Sequence, residues 1–345
     1  METIKDIARI CGVGVSTVSR AINNHPDINP KTKEMILRVI QEYNYIPNNS
    51  ARNLKRSSAR AIAVLIKGIA NPFFASMLNS LEQETRKKKY TFILQKVDEN
   101  ENELDLAIEL VKEKKLNGII FLGGPFSHTC EKLKQLDVPF VISTSRLNNA
   151  DVDQDGVRWS SVSVDDYAES YKMVAYLCRL GHKKIAILAA GKKDESIGKL
   201  RYEGYLQALK DHGIVPDENL ICHMEKKLDS YDMQTGYRLM QQLLKKKSKF
   251  TAVYAISDSL AIGACRAISE AGKMIPGDYS VAGFDGQEIG SFYTPTLTTI
   301  RQPVEDMAKV TIELLFHILN KGKTHEMIFL PGELLEREST RRLDE

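Results

Sequence analysis

The chain is expected to fold as an all-helical head, a short linker, and a larger α/β body made of two similar halves. Three observations carry this expectation. The 345 residues exceed what a single compact core usually holds. The apolar residues of the head recur at helical spacing. From residue 61 onward, strand-like apolar runs alternate with amphipathic helical stretches, which is the pattern of parallel sheets covered by helices on both faces.

In the head, Thr3 with Asp6 three residues on makes a capping-box start, and Ile4, Ile7, Ala8 and Cys11 form one apolar face. A glycine turn, Gly12 to Gly14, leads to a second helix over Val15–Asn23, whose inner face is Val18 and Ile22. In the third helix Asn29 caps and Pro30 suits the first helical position. Ile36, Val39, Ile40 and Tyr43 form its buried stripe. Next comes "PNNSARNLKRSSAR". Its Ala51–Lys55 stretch spans barely two helical turns, too few to stand alone in water.

In the body, the runs "AIAVLIK", "YTFILQK", "NGIIFLG", "PFVIST", "KIAILAA", "FTAVYAIS" and "YSVAGF" read as strands. Helices are expected between them at Phe74–Lys89, Glu103–Lys115, Ala168–Leu180, Leu200–His212 and Ser259–Ala271. About 280 residues suffice for two Rossmann-like halves facing each other across a cleft, where open α/β sheets bind ligands.

Composition narrows the function. No apolar run is long enough to span a bilayer, and the N-terminus with Glu2 and Asp6 lacks a signal-peptide core, so a cytoplasmic protein is expected. Five scattered cysteines and seven dispersed histidines offer no disulfide framework, no zinc pattern and no HExxH, so no metal or cofactor is expected. Up to Arg60 the chain has ten basic and five acidic residues, while the remainder is mildly acidic. A basic head on such a body suits a polyanion partner.

The stretch "CGVGVSTVSRAIN" decides between two chemistries. A phosphate loop needs GxxxxGK[ST] after a strand, and here two glycines follow a helix with no lysine; a dinucleotide fingerprint fails at Thr17. The lengths instead match a helix-turn-helix, in which Val15, Ser16, Thr17 and Arg20 face outward. Small and hydroxyl side chains at such a helix start can reach base edges in the major groove, and arginine can pair with guanine or phosphate. No nucleophile–base set is apparent, so no enzyme is expected.

These residues carry a resemblance. "TIKDIARICGVGVSTVSRAINN", "YNYIPNNSARNLK" and "IANPFF", followed by "GHKKIAIL", "RYEGYLQAL", "SDSLAIGACRAI", "IPGDYSVAGFDG", "TPTLTTIRQP" and "LLERES", resemble the LacI/GalR family of bacterial transcriptional regulators over essentially the whole chain. The resemblance implies a helix-turn-helix head at 1–46, a hinge helix and linker at 47–60, and a periplasmic-binding-protein-like body at 61–345 for ligand binding and dimerisation. Within the body it implies one subdomain at about 61–160 plus 291–321 and another at about 161–290 plus 322–345.

It further implies a homodimer that reads a pseudo-palindromic operator in double-stranded DNA. The implied DNA contacts are Val15, Ser16 and Arg20 on bases, and Thr3, Thr17, Asn29, Tyr45 and Asn48 on the backbone. Leu54 would enter the minor groove as a wedge, flanked by Arg52 and Lys55. For the effector, the resemblance points to Phe73 and Phe74 on one side of the cleft and Asp165, Arg201, Tyr231, Ser257 and Asp285 on the other. Aromatics with separated charged groups suit a sugar or sugar derivative better than a purine. The lesser alternative for Arg201 and Asp285 is a salt bridge inside the cleft.

The chain departs from the family pattern in three places. Gly14 stands where a serine is common, Thr144-Ser145-Arg146 replaces the usual aspartate–arginine pair, and Asn148–Trp159 is atypical, with Trp159 facing either ligand or an interface. The expected function is a ligand-responsive regulator, a repressor of a carbohydrate-related operon. The competing class is a sugar-binding protein of the transport type, without a role on DNA.

Overall fold

The computed structural model divides the chain into two compact units, Met1–Ala59 and Arg60–Glu345. It describes residues 3–22, 25–43, 60–98, 101–124, 126, 130–145, 159–225, 230–246, 248–321 and 326–343.

The head consists of α1 (Ile4–Ile10), α2 (Val15–Ile22) and α3 (Pro30–Glu42). Thr3 and Asp6 cap α1 reciprocally: the Thr3 hydroxyl accepts from the Asp6 N–H, and the Asp6 carboxylate accepts the Thr3 N–H at 2.9 Å. At the other end of α1, Gly12 takes φ +65°, its N–H donates to Arg9, and the Val13 N–H donates to Ala8. This pair of bonds closes a helix with glycine in the left-handed position, where no Cβ is penalised. Asn29 caps α3 by accepting the Lys31 N–H at 2.9 Å, with Pro30 in the first turn. Ile7, Ala8, Val18, Ala21 and Ile36 form the core of the head. Tyr43 does not join the α3 stripe as expected: the helix ends at Glu42, and the ring is 43% exposed.

The body contains two six-stranded sheets. The first is ordered β11-β5-β4-β3-β1-β2, comprising Met327–Phe329, Ser160–Ser163, Phe140–Ser143, Gly118–Leu122, Ala61–Ile66 and Thr91–Lys96. The second is ordered β12-β10-β9-β8-β6-β7, comprising Glu333–Leu335, Thr298–Arg301, Ser280–Asp285, Ala252–Ala255, Ile185–Ala189 and Ile221–His223. All pairings are parallel except β10 with β12. The central strands are buried along their whole length, as a sheet covered on both faces requires.

The covering helices are α4 (Phe73–Lys87), α5 (Glu103–Lys114), α6 (Cys130–Leu133), α7 (Asp166–Arg179), α8 (Ile197–Asp211), α9 (Met233–Lys245), α10 (Asp258–Glu270), α11 (Ile289–Phe292) and α12 (Val304–Lys321). Two glycines let α9 and α10 approach closely: a Cβ on Gly236 would lie 2.1 Å from the Leu260 carbonyl, and one on Gly263 2.0 Å from that of Met233.

Strand pairing moves the expected subdomain limits. β5 pairs with β4, so residues through Ser163 stay in the first sheet. β10 pairs with β9 in the second sheet, so the chain returns to the first half only after Arg301, not at residue 291. There α12 packs on α4, β4 and β5. β11 then adds to β5, and β12 to β10, so the described part of the expected 322–345 segment, 326–343, is shared between the sheets. Parallel pairing keeps β10 beside β9, which places each crossing after a strand has been completed.

Candidate functional site

A cavity of about 710 Å³ lies where the C-terminal ends of the strands in the two lobes face each other. The first lobe lines it with the loop after β1 (Lys67–Asn71), with Phe73 and Phe74, and with Thr144 after β4. The second lobe contributes the loop after β6, Arg201 on α8, Tyr231 ahead of α9 and Asp285 at the end of β9. Gln302, in the segment that crosses between lobes, completes the wall. Phe73 and Phe74 meet edge to face with centroids 5.5 Å apart.

Arg201 organises the second lobe. It is 2% exposed and grips Asp166 at 2.8 Å, donates to the Ile256 carbonyl at 2.6 Å, and lies 3.5 Å from Asp285. Its guanidinium sits 3.7 Å above the centre of the Phe284 ring. Burial alone would lower its proton affinity, but the Asp166 and Asp285 charges win and raise it. Asp285, at φ +121°, also accepts from Gln302 at 2.9 Å and from Asn71 at 3.1 Å. Burial raises its pKa against the pull of Arg201. Behind it, Asp258 accepts from the Gln287 N–H and the Thr299 hydroxyl, both at 2.6 Å. Burial and the neighbouring Asp285 push Asp258 up to about 8, so it is largely protonated at neutral pH.

Two lining hydroxyls have no hydrogen-bond partner among the described residues: those of Tyr231 and Thr144. Thr144 is 6% exposed and sits at φ +66°, a conformation that costs a β-branched residue energy.

Five of the seven expected effector residues therefore meet at the cavity: Phe73, Phe74, Arg201, Tyr231 and Asp285. Asp165 and Ser257 do not line it. Each instead caps a helix, accepting the N–H of Ala168 at 3.2 Å and of Leu260 at 3.3 Å. Their neighbours Asp166 and Asp258, one position later and inside the first turn, enter the buried network. Asn71 and Gln302, which lie in "IANPFF" and "TTIRQP", also line the cavity, and no local pattern in the sequence singles them out. Trp159 does not line the cavity: it is 7% exposed and stacks on Phe140 at 6.0 Å in a hydrophobic cluster of the first lobe. Arg146 lies outside the described residues.

On the head, Val15, Ser16 and Arg20 are exposed on α2 and Thr17 is half-buried. The Arg20 guanidinium keeps a loose 3.9 Å contact with Asp27. The hydroxyl of Thr3 and the amide oxygen of Asn29 are both used as helix caps. At the start of α2 the Gly14 carbonyl accepts from the Thr17 and Val18 N–H groups, and Gly14, having no side chain, offers no hydroxyl at the cap position. Tyr45, Asn48, Arg52, Leu54 and Lys55 lie outside the described residues. Among the described residues, no helix is long and apolar enough to cross a membrane.

A helix-turn-helix head followed by a two-lobed α/β body with a cleft defines the class of ligand-sensing DNA-binding regulators. The comparisons agree. Residues 3–48 match the family model for bacterial regulatory proteins of the lacI family, and residues 174–340 match a periplasmic binding protein-like domain. The HTH-type transcriptional regulator MalR of Clostridium butyricum is 40% identical over 97% of this chain and 98% of its own. The structure of a transcriptional regulator CelR–cellobiose complex superposes with TM-score 0.70 at 26% identity, covering 98% of this chain and 100% of that one. A LacI family regulator from Enterococcus faecium with bound ribose gives TM-score 0.70 at 28% identity over 82% of this chain and 100% of its own. The chain belongs to the lacI family and is a DNA-binding transcriptional regulator.

Proposed function

We propose that this regulator is a homodimeric, cytoplasmic repressor of genes for carbohydrate use, and that the cleft of its body binds a sugar or sugar derivative as effector. The observation that carries this is the cavity itself. Its aromatic wall suits the apolar face of a sugar ring, and the unpartnered hydroxyls of Tyr231 and Thr144 suit a ligand rich in hydroxyls. The 710 Å³ lies within the roughly 300–1,000 Å³ of small-molecule sites. A disaccharide is therefore within range. The cellobiose and ribose in the two related structures support the same class.

In this reading the chain catalyses no reaction, since Arg201, Asp166 and Asp285 are committed to one another. The heads read the operator through Val15, Ser16 and Arg20, with Thr3, Thr17, Asn29, Tyr45 and Asn48 nearer the phosphates. Residues 47–60 act as the hinge, with Leu54 wedged into the minor groove between Arg52 and Lys55. Effector binds one arrangement of the lobes better than the other, and by linkage shifts the population competent to bind DNA.

A thermal-shift screen of the full chain tests the effector class. Neutral mono- and disaccharides should raise the melting temperature in a concentration-dependent way. A shift by purines with none by any sugar would replace the proposed effector class.

A further inference from the structure

The polar contacts across the cleft raise a question of capacity. An ionised carboxylate offers about four lone-pair positions. Asp285 already accepts three hydrogen bonds, from Gln302 at 2.9 Å, Asn71 at 3.1 Å and Gln287 at 3.4 Å, and the Arg201 guanidinium stands beside it as an ion pair at 3.5 Å. In this arrangement at most one position is left for a ligand hydroxyl. Of the four groups around it, Arg201 and Gln287 belong to the second lobe and Gln302 to the crossing segment. Asn71 alone comes from the first lobe, on the loop between β1 and α4.

The orientation of the Asn71 amide is unambiguous. Its oxygen accepts the Phe73 backbone N–H at 3.1 Å, and a backbone N–H can only donate, so its NH₂ group must face Asp285. The same oxygen accepts from the Gln287 side chain at 2.8 Å. Gln287 is in turn held by its own N–H on Asp258. Asn71, 6% exposed, thus ties the start of α4 to two residues of the opposite lobe, with three of its side chain's four hydrogen-bonding positions used inside the protein.

We propose that Asn71 is a latch: it holds the lobes closed without effector by occupying the position on Asp285 that a sugar hydroxyl takes when the effector binds. This deepens the reading of the cleft as the effector site and rests on it. The latch stabilises only the effector-free state, because the complex replaces its bond to Asp285. Removing it therefore raises the free energy of the empty protein and leaves that of the complex nearly unchanged. Effector affinity should rise, the opposite of what loss of an ordinary ligand contact would do.

The test begins with the effector-free full-length protein. A fluorescent pair is placed on the two lobes, at the exposed positions Lys112 and Lys210, and single-molecule energy transfer reads the distance between them. Wild type should show one dominant population. Asn71→Ala should move molecules into a second one, and Asn71→Asp, which sets a carboxylate against Asp285, should move more of them. Histograms unchanged in both variants would overturn the latch. Calorimetric titration with maltose and cellobiose then reads the exchange. The dissociation constant of Asn71→Ala should fall roughly three- to tenfold, the scale of one hydrogen bond. A rise of the same size would make Asn71 a plain ligand contact and overturn the competition. If neither sugar binds, the proposed effector class is in trouble, whereas the distance histograms still decide the latch.

Discussion

The head and the cleft hold the side chains proposed to meet DNA and effector in opposite states. On α2, Val15, Ser16 and Arg20 project into solvent and carry little of the fold. In the cleft, Arg201, Asp258 and Asp285 are at most 2% exposed and bonded to the protein itself. The contrast follows from the partners. Bases and phosphates bring their own donors and acceptors, so the side chains that meet them gain by being free. A small polar ligand needs groups already held in place, and buried charges are tolerable only when paired. Function and stability should therefore separate on the head and be inseparable in the cleft.

The largest test of that contrast is Arg201→Ala. It leaves Asp166 and Asp285 buried without their cation, which should cost about 3–5 kcal/mol of stability in a urea titration, with loss of the effector response. A loss under about 1 kcal/mol would break the comparison. Arg20→Ala is its counterpart on the head. It should cost about 1–3 kcal/mol of operator binding in a gel-shift titration and leave stability unchanged within about 0.5 kcal/mol.

A smaller effect is expected from pH. Burial, then the charge of Asp285, pushes Asp258 up to about 8. A carboxyl whose pKa is higher in the folded state binds its proton more tightly there than in the unfolded chain. Its contribution is complete below the ordinary carboxylate range, shrinks as pH rises towards 8, and levels off above it. Wild type should therefore lose melting temperature between about pH 5 and pH 8 relative to Asp258→Asn, which carries no such proton. Parallel curves would show that Asp258 titrates normally.

The smallest change sharpens the head. Gly14 has φ outside the left-handed region, and a Cβ there would come no closer than 3.5 Å to the Ser16 hydroxyl, so a side chain fits. Gly14→Ser should cap α2, raise stability by a few tenths of a kcal/mol, and tighten DNA binding alike across sequences. Tightening on one sequence only would mean that the new hydroxyl reads a base.

Much of the site was legible because its residues sit at recognisable places: Phe73 and Phe74 open a helix, Arg201 starts "RYEGYLQAL", and Asp285 lies in "IPGDYSVAGFDG". Where the reading slipped, it slipped by one residue. Asp165 and Asp166 are adjacent acids at a helix start; the first caps, and the second points to Arg201. Capping rules identify a boundary within a residue or so, but only the packed helix decides which neighbour faces inward. Trp159 was equally ambiguous, since nothing near it in sequence reveals the stacking with Phe140.

The sequence by itself determined the helix-turn-helix head, the caps at Thr3 and Asn29, the alternation of strands and helices, and the family. Each of these rests on rules that act over a few residues, or on motifs read in order along the chain. Only the tertiary structure decided where the chain crosses between the sheets, that Tyr43 stays out of the core, and which groups gather around Asp285. Asn71 and Asp285 are 214 residues apart, and Asp285 and Gln302 are joined because β9 and β10 lie side by side. No local pattern encodes such contacts. They exist because a polar group buried in a shared cleft is stabilised by a partner from whichever segment the fold brings near.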